Sequence, residues 1–155
     1  MSNIAAHQNP VWREKADFLI QVSLVAFGMA DRWEQLWARR ISDREFEICC
    51  IPFFTYGIAL GDKVAAEADR DFEYVFQRVL AKSGHKTARV AIVSQTVASR
   101  LHDEIHRRLA KSLPHEWYAP GYVAIDIADV DQEVQIADFF SEYVKRGEVS
   151  YEIDV

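Results

Sequence analysis

The hydrophobic residues of this chain change their spacing near Gln95, and that change constrains the fold more than any other feature. Before it, apolar and polar residues alternate, as from Leu19 to Val25, and alternation is typical of half-buried strands. After it, apolar residues recur every four positions from Val97 to Leu109, which is typical of an amphipathic helix. A run of strands followed by helices predicts the α+β class.

The first half predicts a small, bent antiparallel sheet or a barrel. Ser42-Asp43 separates two alternating runs, a pattern typical of a hairpin, and six such runs with short turns fit between residues 17 and 93. Residues 1–16 are expected to form a loose N-terminal arm, because Asn9-Pro10 disfavours helix. Residues 17–155 are expected to form one α+β domain.

The second half, residues 94–155, predicts two helices packed on a sheet. The first helix is expected to end before Pro114, and the aromatic segment His115–Gly121 is expected to be a loop. A strand follows, and then a second helix capped by Asp129 or Asp131 and a C-terminal strand. With the strand that ends the first half, this order gives a ferredoxin-like β-α-β-α-β layer.

Three segments concentrate aromatic residues, glycines and polar residues. Trp33 to Arg39 reads WEQLWAR, Ile51 to Val64 reads IPFFTYGIALGDKV, and Ser83 to Val90 reads SGHKTARV. This set resembles the bacterial family catalogued as domain of unknown function 4265, in which a tryptophan-rich segment precedes P-F-F-x-Y-G-x-x-x-G-D-x-V and S-G-H-x-T-x-R-V blocks. The resemblance runs from about Trp33 to Ile92. It implies a shared fold and no particular activity.

The net negative charge of the chain comes from its last 60 residues. Of a formal net charge of −6, residues 1–95 contribute none, with 12 basic and 12 acidic residues, whereas residues 96–155 hold 6 basic and 12 acidic residues. An acidic surface repels phosphate backbones, so nucleic-acid binding is not expected. The same surface attracts a basic partner, or it only forms a solvated face that keeps the protein in solution.

The composition predicts a cytoplasmic protein. Apolar runs fall far short of the roughly 20 residues that span a membrane, and residues 1–15 lack the pattern of a secretory signal. Cys49 and Cys50 are neighbours on a predicted strand and should point to opposite faces, so a disulfide between them is not expected. Reduced cysteines packed in a core fit a reducing compartment.

These features favour a non-enzymatic protein-binding module, most concretely an acidic immunity or antitoxin-like protein that neutralises a basic toxin domain. Exposed aromatic residues would anchor the partner, and carboxylates would attract it. The pattern predicts no catalytic residue and no cofactor, and it leaves the oligomeric state open. The predicted partner-binding residues are Trp117, Tyr118, Asp126, Asp129, Asp131, Glu133, Asp138 and Glu142.

Two further hypotheses use the Gly61-Asp62 turn and the loop that begins at Ser83. Gly84 permits a positive φ, so N–H groups and cations could converge there on a small anion, as in a ligand-binding or regulatory domain. The alternative is a β-turn whose side chains satisfy their own backbone. An enzyme centred on His85 is the third hypothesis, with Asp62 as its partner if the loops meet. The predicted ligand-binding residues are Asp62, Ser83, His85, Lys86, Thr87 and Arg89.

His102 and His106 lie four residues apart on the first predicted helix, a spacing that can bind a metal. Zinc proteases place glutamate directly after the first histidine, where this chain has Asp103. We therefore expect a polar helix flank, with Glu104 paired to Arg108, and no metal site.

Overall fold

A computed structural model describes residues 3–154. Within this range it contains two helices and two sheets, which confirms the α+β class. The strands are β1 (Ile4–Ala5), β2 (Phe18–Ser23), β3 (Trp33–Arg40), β4 (Glu45–Ile48), β5 (Lys63–Ala68), β6 (Tyr74–Ala81), β7 (Lys86–Ile92), β8 (His115–Ala119), β9 (Tyr122–Ile127) and β10 (Val149–Asp154). The helices are α1 (Ala98–Leu109) and α2 (Val130–Lys145).

The first six strands form a sheet that closes on itself. Their order is β1-β3-β2-β6-β5-β4, and β4 pairs again with β3, so the sheet becomes a small barrel. The pairings are antiparallel except β1 with β3 and β2 with β6. Two register shifts between β5 and β6 leave Leu80 and Gln77 of β6 without a partner in β5, and such bulges bend the strand that carries them. The hairpin predicted around Ser42-Asp43 is confirmed, because β3 and β4 pair across it.

The remaining elements follow the order β7-α1-β8-β9-α2-β10, and the strands form a sheet in the order β10-β7-β9-β8. Both helices contribute to one core on a single face of this sheet, through Leu101 and Ile105 of α1 and Ile136 and Phe140 of α2. Asp129 caps α2 by accepting from the backbone N–H of Gln132 at 2.9 Å. Neither helix in residues 3–154 is long and apolar enough to cross a membrane.

The segment His115–Gly121, predicted as a loop, contains strand β8, so that prediction is wrong. β8 pairs antiparallel with β9 from His115 opposite Ile125 to Ala119 opposite Tyr122. Trp117 and Tyr118 favoured the loop prediction because neighbouring aromatic residues are typical of exposed recognition loops. Their alternation instead places them on opposite faces of an edge strand.

The prediction of a loose N-terminal arm is wrong for residues 3–16; Met1 and Ser2 lie outside the described residues. β1 pairs with the start of β3, and the N–H of Trp12 donates to the carbonyl of Cys49 at 3.1 Å. His7 is buried between the two halves of the molecule. The arm is held in place by buried polar contacts such as those of His7. The spacing of hydrophobic residues does not predict contacts of this kind.

Candidate functional site

Residues 51–62, which we call the signature segment, lie between the barrel and the second sheet and have no regular secondary structure. Ile51 and Phe53 form a small core with Ala124 of β9. A buried irregular segment must find partners for its backbone N–H and C=O groups outside a helix or sheet. In this protein, charged side chains from both halves are those partners.

Two buried glutamates accept the N–H groups of the segment. Glu34 on β3 accepts from the backbone N–H groups of Phe53 at 2.6 Å, Phe54 at 3.0 Å and Thr55 at 2.9 Å. Glu116 on β8 accepts from the N–H of Ile51 at 2.6 Å. Because one glutamate belongs to the barrel and the other to the second sheet, the segment is attached to both halves.

His7 connects these two glutamates. Its Nε2 lies 2.8 Å from Glu34 Oε2, and its Nδ1 lies 2.7 Å from Glu116 Oε1. The imidazole also stacks on Phe53, with ring centroids 4.1 Å apart. Burial alone would lower the pKa of His7, but Cys50 and the two carboxylates raise that pKa well above its ordinary value. We call Glu34, His7 and Glu116 the carboxylate clamp.

The surroundings favour the ionised form of Glu34, as they favour the protonated form of His7. Burial raises the pKa of this carboxyl, but hydrogen bonds from His7, Phe53 and Phe54 lower it below its ordinary value overall. A charged imidazole between two carboxylates satisfies both of its N–H donors. The clamp is therefore a buried ionic group in which each imidazole N–H has a carboxylate acceptor.

Arg89 and Tyr122 hold the carbonyl side of the same segment. Arg89 Nε donates to the Phe53 carbonyl at 2.8 Å and Nη2 to the Thr55 carbonyl at 2.6 Å, and the Tyr122 hydroxyl donates to the Phe53 carbonyl at 2.6 Å. The guanidinium lies over the Tyr56 ring, 4.7 Å from its centroid. The conspicuous aromatic block is thus a joint between the halves rather than an open cleft.

Sequence reasoning missed the clamp, although one of its members gave a signal. Glu34 occupies the same face of β3 as Leu36 and Ala38, which are fully buried. A carboxylate on a core face needs partners, so a buried polar network could have been predicted from this position. His7 gave no such signal, because its neighbours in sequence show no pattern.

The predicted ligand-binding residues do not converge on one open site, because they bind one another or other parts of the protein. Asp62 is fully buried, accepts from the N–H groups of Ala59 and Ser83, and pairs with Lys82 Nζ at 2.6 Å. Lys86 pairs with Glu133 at 3.3 Å. Thr87 is also buried. The arrangement resembles the self-satisfied turn more than an open anion site.

His85 does not pair with Asp62, so that expectation is wrong. Its Nδ1 lies 2.8 Å from Asp126 Oδ1. The Gly61-Asp62 turn and the Ser83 loop do meet, however. A Cβ placed on Gly61, where φ is +82°, would lie 3.1 Å from Ser83 Cβ. Asp62 faces Lys82 and the backbone instead, because it closes its own turn.

The histidines of α1 lie beside an aromatic cluster. Trp117 Nε1 donates to His106 Nδ1 at 3.0 Å, and the rings of His102 and Trp117 are 4.3 Å apart. Among residues 3–154 no group of three or more His, Cys, Asp or Glu residues is arranged to hold a metal. The expected pair of Glu104 with Arg108 is wrong. Glu104 pairs with Arg100 at 3.5 Å, while Arg108 lies over the Phe139 ring.

The two cysteines are free and buried. Burial raises the pKa of the Cys49 thiol to about 12, with a further contribution from Glu47. Burial also raises the pKa of Cys50. Both side chains are therefore protonated core residues at neutral pH.

Three of the predicted partner-binding carboxylates lie exposed on the solvent side of α2. Asp131, Asp138 and Glu142 follow one another at helical spacing on that side. Asp129 is exposed at the cap, and Glu133 is half-buried against Lys86.

The other predicted partner-binding residues lie elsewhere. Asp126 is buried beside His85, so it is not part of the exposed face. Trp117 packs against α1. Tyr118 is partly exposed, and its ring packs on Phe54 of the signature segment.

The sequence profile of the family described as Domain of unknown function (DUF4265) matches residues 34–151. The chain belongs to this family. Within the matched range of the DUF4265 chain lie Glu34, Glu116, the signature segment and Arg89, whereas His7 precedes it. No curated protein matches the chain.

A solved structure, the crystal structure of a hypothetical protein from Neisseria gonorrhoeae, shares the fold and superposes with a TM-score of 0.64. The identity is 20%, and the alignment covers 87% of this chain and 92% of that chain. At this identity the similarity concerns the fold alone.

Proposed function

We propose that this DUF4265 protein is a non-enzymatic, cytoplasmic protein-binding module whose α2 helix binds a basic partner, most concretely as an immunity or antitoxin-like protein. The observation that carries the proposal is an unpartnered face of α2 on which apolar and acidic residues form two parallel rows. The C-terminal half, which we interpret as a ferredoxin-like layer, presents this face away from the barrel.

The apolar row contains three exposed valines at helical spacing. Val130 is 72% exposed, Val134 55% and Val144 44%, and Ala137 lies between them on the same side of the helix. Residues at these spacings line one side of a helix. Ser141 separates Ala137 from Val144 in this row. Single exposed valines are ordinary, but several on one side of a helix next to charged residues favour a contact surface.

The acidic row lies beside it. Asp131, Asp138 and Glu142 repeat at spacings of seven and four residues, so they form a second line along α2. Asp131 and Asp138 have no ion-pair partner within the described residues, and Glu142 makes only an exposed contact with Lys145 at 3.4 Å. Unpaired carboxylates beside an apolar row favour a partner with complementary cations.

Half of the ten carboxylates after residue 115 bind a cationic or histidine side chain away from the α2 rows, whereas Asp129 caps α2 and Glu152 accepts from the Tyr56 hydroxyl. The carboxylates bound in this way are Glu116 with His7, Asp126 with His85, Glu133 with Lys86, Glu148 with Arg100 and Arg146, and Asp154 with Arg89. Apart from Glu152 on β10, the carboxylates after residue 115 without such a partner therefore lie on α2 and at its cap.

The anion-binding and enzymatic alternatives receive less support from the geometry. Arg89, Lys86 and His85 already bind protein acceptors. A ligand would have to displace these intramolecular bonds, and their loss would offset its own binding. The α2 face requires no such rearrangement.

Affinity capture with matched variants tests the proposal. The wild-type chain, an α2 variant (D131K/D138K) and a control with the same change in charge on the barrel side (E14K/D43K) are immobilised and exposed to lysate of the native host. We expect one basic polypeptide to bind wild type and control at low salt, to elute at about 0.5 M salt, and to be missing from the α2 variant. Equal capture by all three chains contradicts the proposal, as does an empty capture.

A further inference from the structure

Phe72 is the most exposed large hydrophobic residue among the described residues, with 85% of its surface accessible. It lies at the tip of the β5–β6 hairpin, on the barrel and distant in sequence from α2. A phenylalanine in solvent contributes nothing to the core, since its apolar area stays in water.

The hairpin loop holds Phe72 in a conformation that suits glycine. Its φ is +61°, in the left-handed region that bulky residues rarely occupy. The Phe72 N–H donates to the Asp69 carbonyl at 3.2 Å, and the Asp69 N–H donates to the Glu73 carbonyl at 2.8 Å. This is the pattern of a hairpin turn followed by a left-handed residue, where glycine is preferred. The Asp69 carboxylate secures the turn by accepting from the N–H groups of Asp71 and Glu73.

Beside Phe72 lies an aromatic groove of about 340 Å³. Phe18, Trp37 and Tyr74 line it together with Leu19, which is itself exposed. Phe18 and Tyr74 are packed edge to face, with centroids 4.7 Å apart, so the floor of the groove is fixed by the barrel core. A rigid apolar floor with an exposed aromatic side chain at its edge is the arrangement of an interaction hot spot.

The rim of the groove is acidic. Asp17 and Glu73 line it, and Asp69 and Asp71 flank Phe72 at the tip. None of these four carboxylates forms an ion pair within residues 3–154. The cations nearby are Arg70 in the loop, which is exposed, Arg13, which lies over the Trp37 ring, and Arg40, which lies over Phe18 and Tyr74 and pairs with Asp43. The four carboxylates outnumber these three cations. The groove therefore favours a cationic ligand.

We propose that Phe72 and this groove are a second docking surface, which takes a basic protein segment carrying an apolar side chain next to lysine or arginine. The apolar side chain packs against Phe72 and the groove floor, and the cation faces the Asp17 and Glu73 rim. This surface is on the barrel and does not depend on the α2 face.

Fluorescence anisotropy with defined peptides tests the proposal. The probe is a labelled heptapeptide that alternates lysine with phenylalanine or leucine; one control peptide has glutamate for lysine, and another has serine for the apolar residues. We expect the first peptide alone to bind, and Phe72→Gly to weaken that binding at least about tenfold. Val134→Ser on α2 should leave it unchanged.

The melting temperature of Phe72→Gly distinguishes loss of contact from loss of the fold. Because glycine relieves the left-handed strain, Phe72→Gly should unfold at a temperature equal to or higher than that of the wild type. Unchanged affinity of Phe72→Gly, equal binding of all three peptides, or no binding of the basic apolar peptide would each overturn the proposal.

Discussion

Replacing His7 by alanine should reveal how much stability the carboxylate clamp provides. The change removes both imidazole contacts, at 2.8 Å to Glu34 and 2.7 Å to Glu116, and leaves two buried carboxylates with no cation between them. Removing one partner of a buried ionic group costs about 3–5 kcal/mol. For a chain of this size that corresponds to a fall of about 6–20 °C in the melting temperature.

The pH dependence identifies the clamp as the cause. The pKa of His7 is raised in the native state above its ordinary value of 6.5, so the native state keeps a proton that the unfolded state releases above pH 6.5. The stability that protonated His7 provides is therefore fully present below pH 6.5 and is lost as pH rises through the native-state pKa. The lowered pKa of Glu34 gives stability that is present above 4.5 and lost as pH falls through the folded pKa. The loss of unfolding free energy in His7→Ala should therefore be largest between pH 4.5 and pH 6.5.

Urea unfolding followed by circular dichroism at several pH values measures this deficit. His102→Ala is the matched control, because it removes a half-buried imidazole that lies beside Trp117 and contacts no buried carboxylate among residues 3–154, and it should cost less than about 1 kcal/mol. Equal losses in the two variants would refute the clamp as a stabilising unit. A deficit that does not vary with pH would refute the assignment of a charged His7.

Three further changes test the joint and the core by urea unfolding and thiol labelling. Arg89→Met removes the donor to the buried Thr55 carbonyl and leaves the Phe53 carbonyl with the Tyr122 hydroxyl alone, and it should cost about 2–5 kcal/mol; a loss below about 1 kcal/mol would contradict its role. Gly61→Ala combines a positive φ with a Cβ 3.1 Å from Ser83 and should cost more than Gly57→Ala, which has the same φ and open space; equal losses would show that the close approach is unimportant. The thiols of Cys49 and Cys50 are buried and protonated, so a disulfide reagent should label them only as fast as the chain unfolds; rapid labelling in the native state would contradict this.

The secondary structure was largely predictable because it follows from hydrophobic periodicity. The four-residue spacing of α1, the cap of α2 at Asp129 and the β3–β4 hairpin all appear where local patterns place them. Strand β8 did not, since its aromatic residues on an edge strand resemble those of an exposed loop. Barrel closure was only one of two expected forms, because strand pairing across the chain leaves no local signal.

The carboxylate clamp was not predicted because its members are far apart in sequence. Glu34 and Glu116 bind a histidine from a segment interpreted as a loose arm, and no local rule joins the three. His85 shows the same difficulty, since its partner is Asp126, 41 residues away, rather than Asp62. Pairing between charged side chains is decided by the tertiary fold, and a single sequence reports only which residues are available.

Hydrogen–deuterium exchange of the wild-type chain with its captured basic polypeptide tests whether α2 is the binding face. We expect slower exchange in residues 130–145 on binding, with the protection lost at about 0.5 M salt, because screening weakens contacts with Asp131 and Asp138. Protection confined to residues 83–89, or no change along α2, would contradict the assignment of α2 as the binding face.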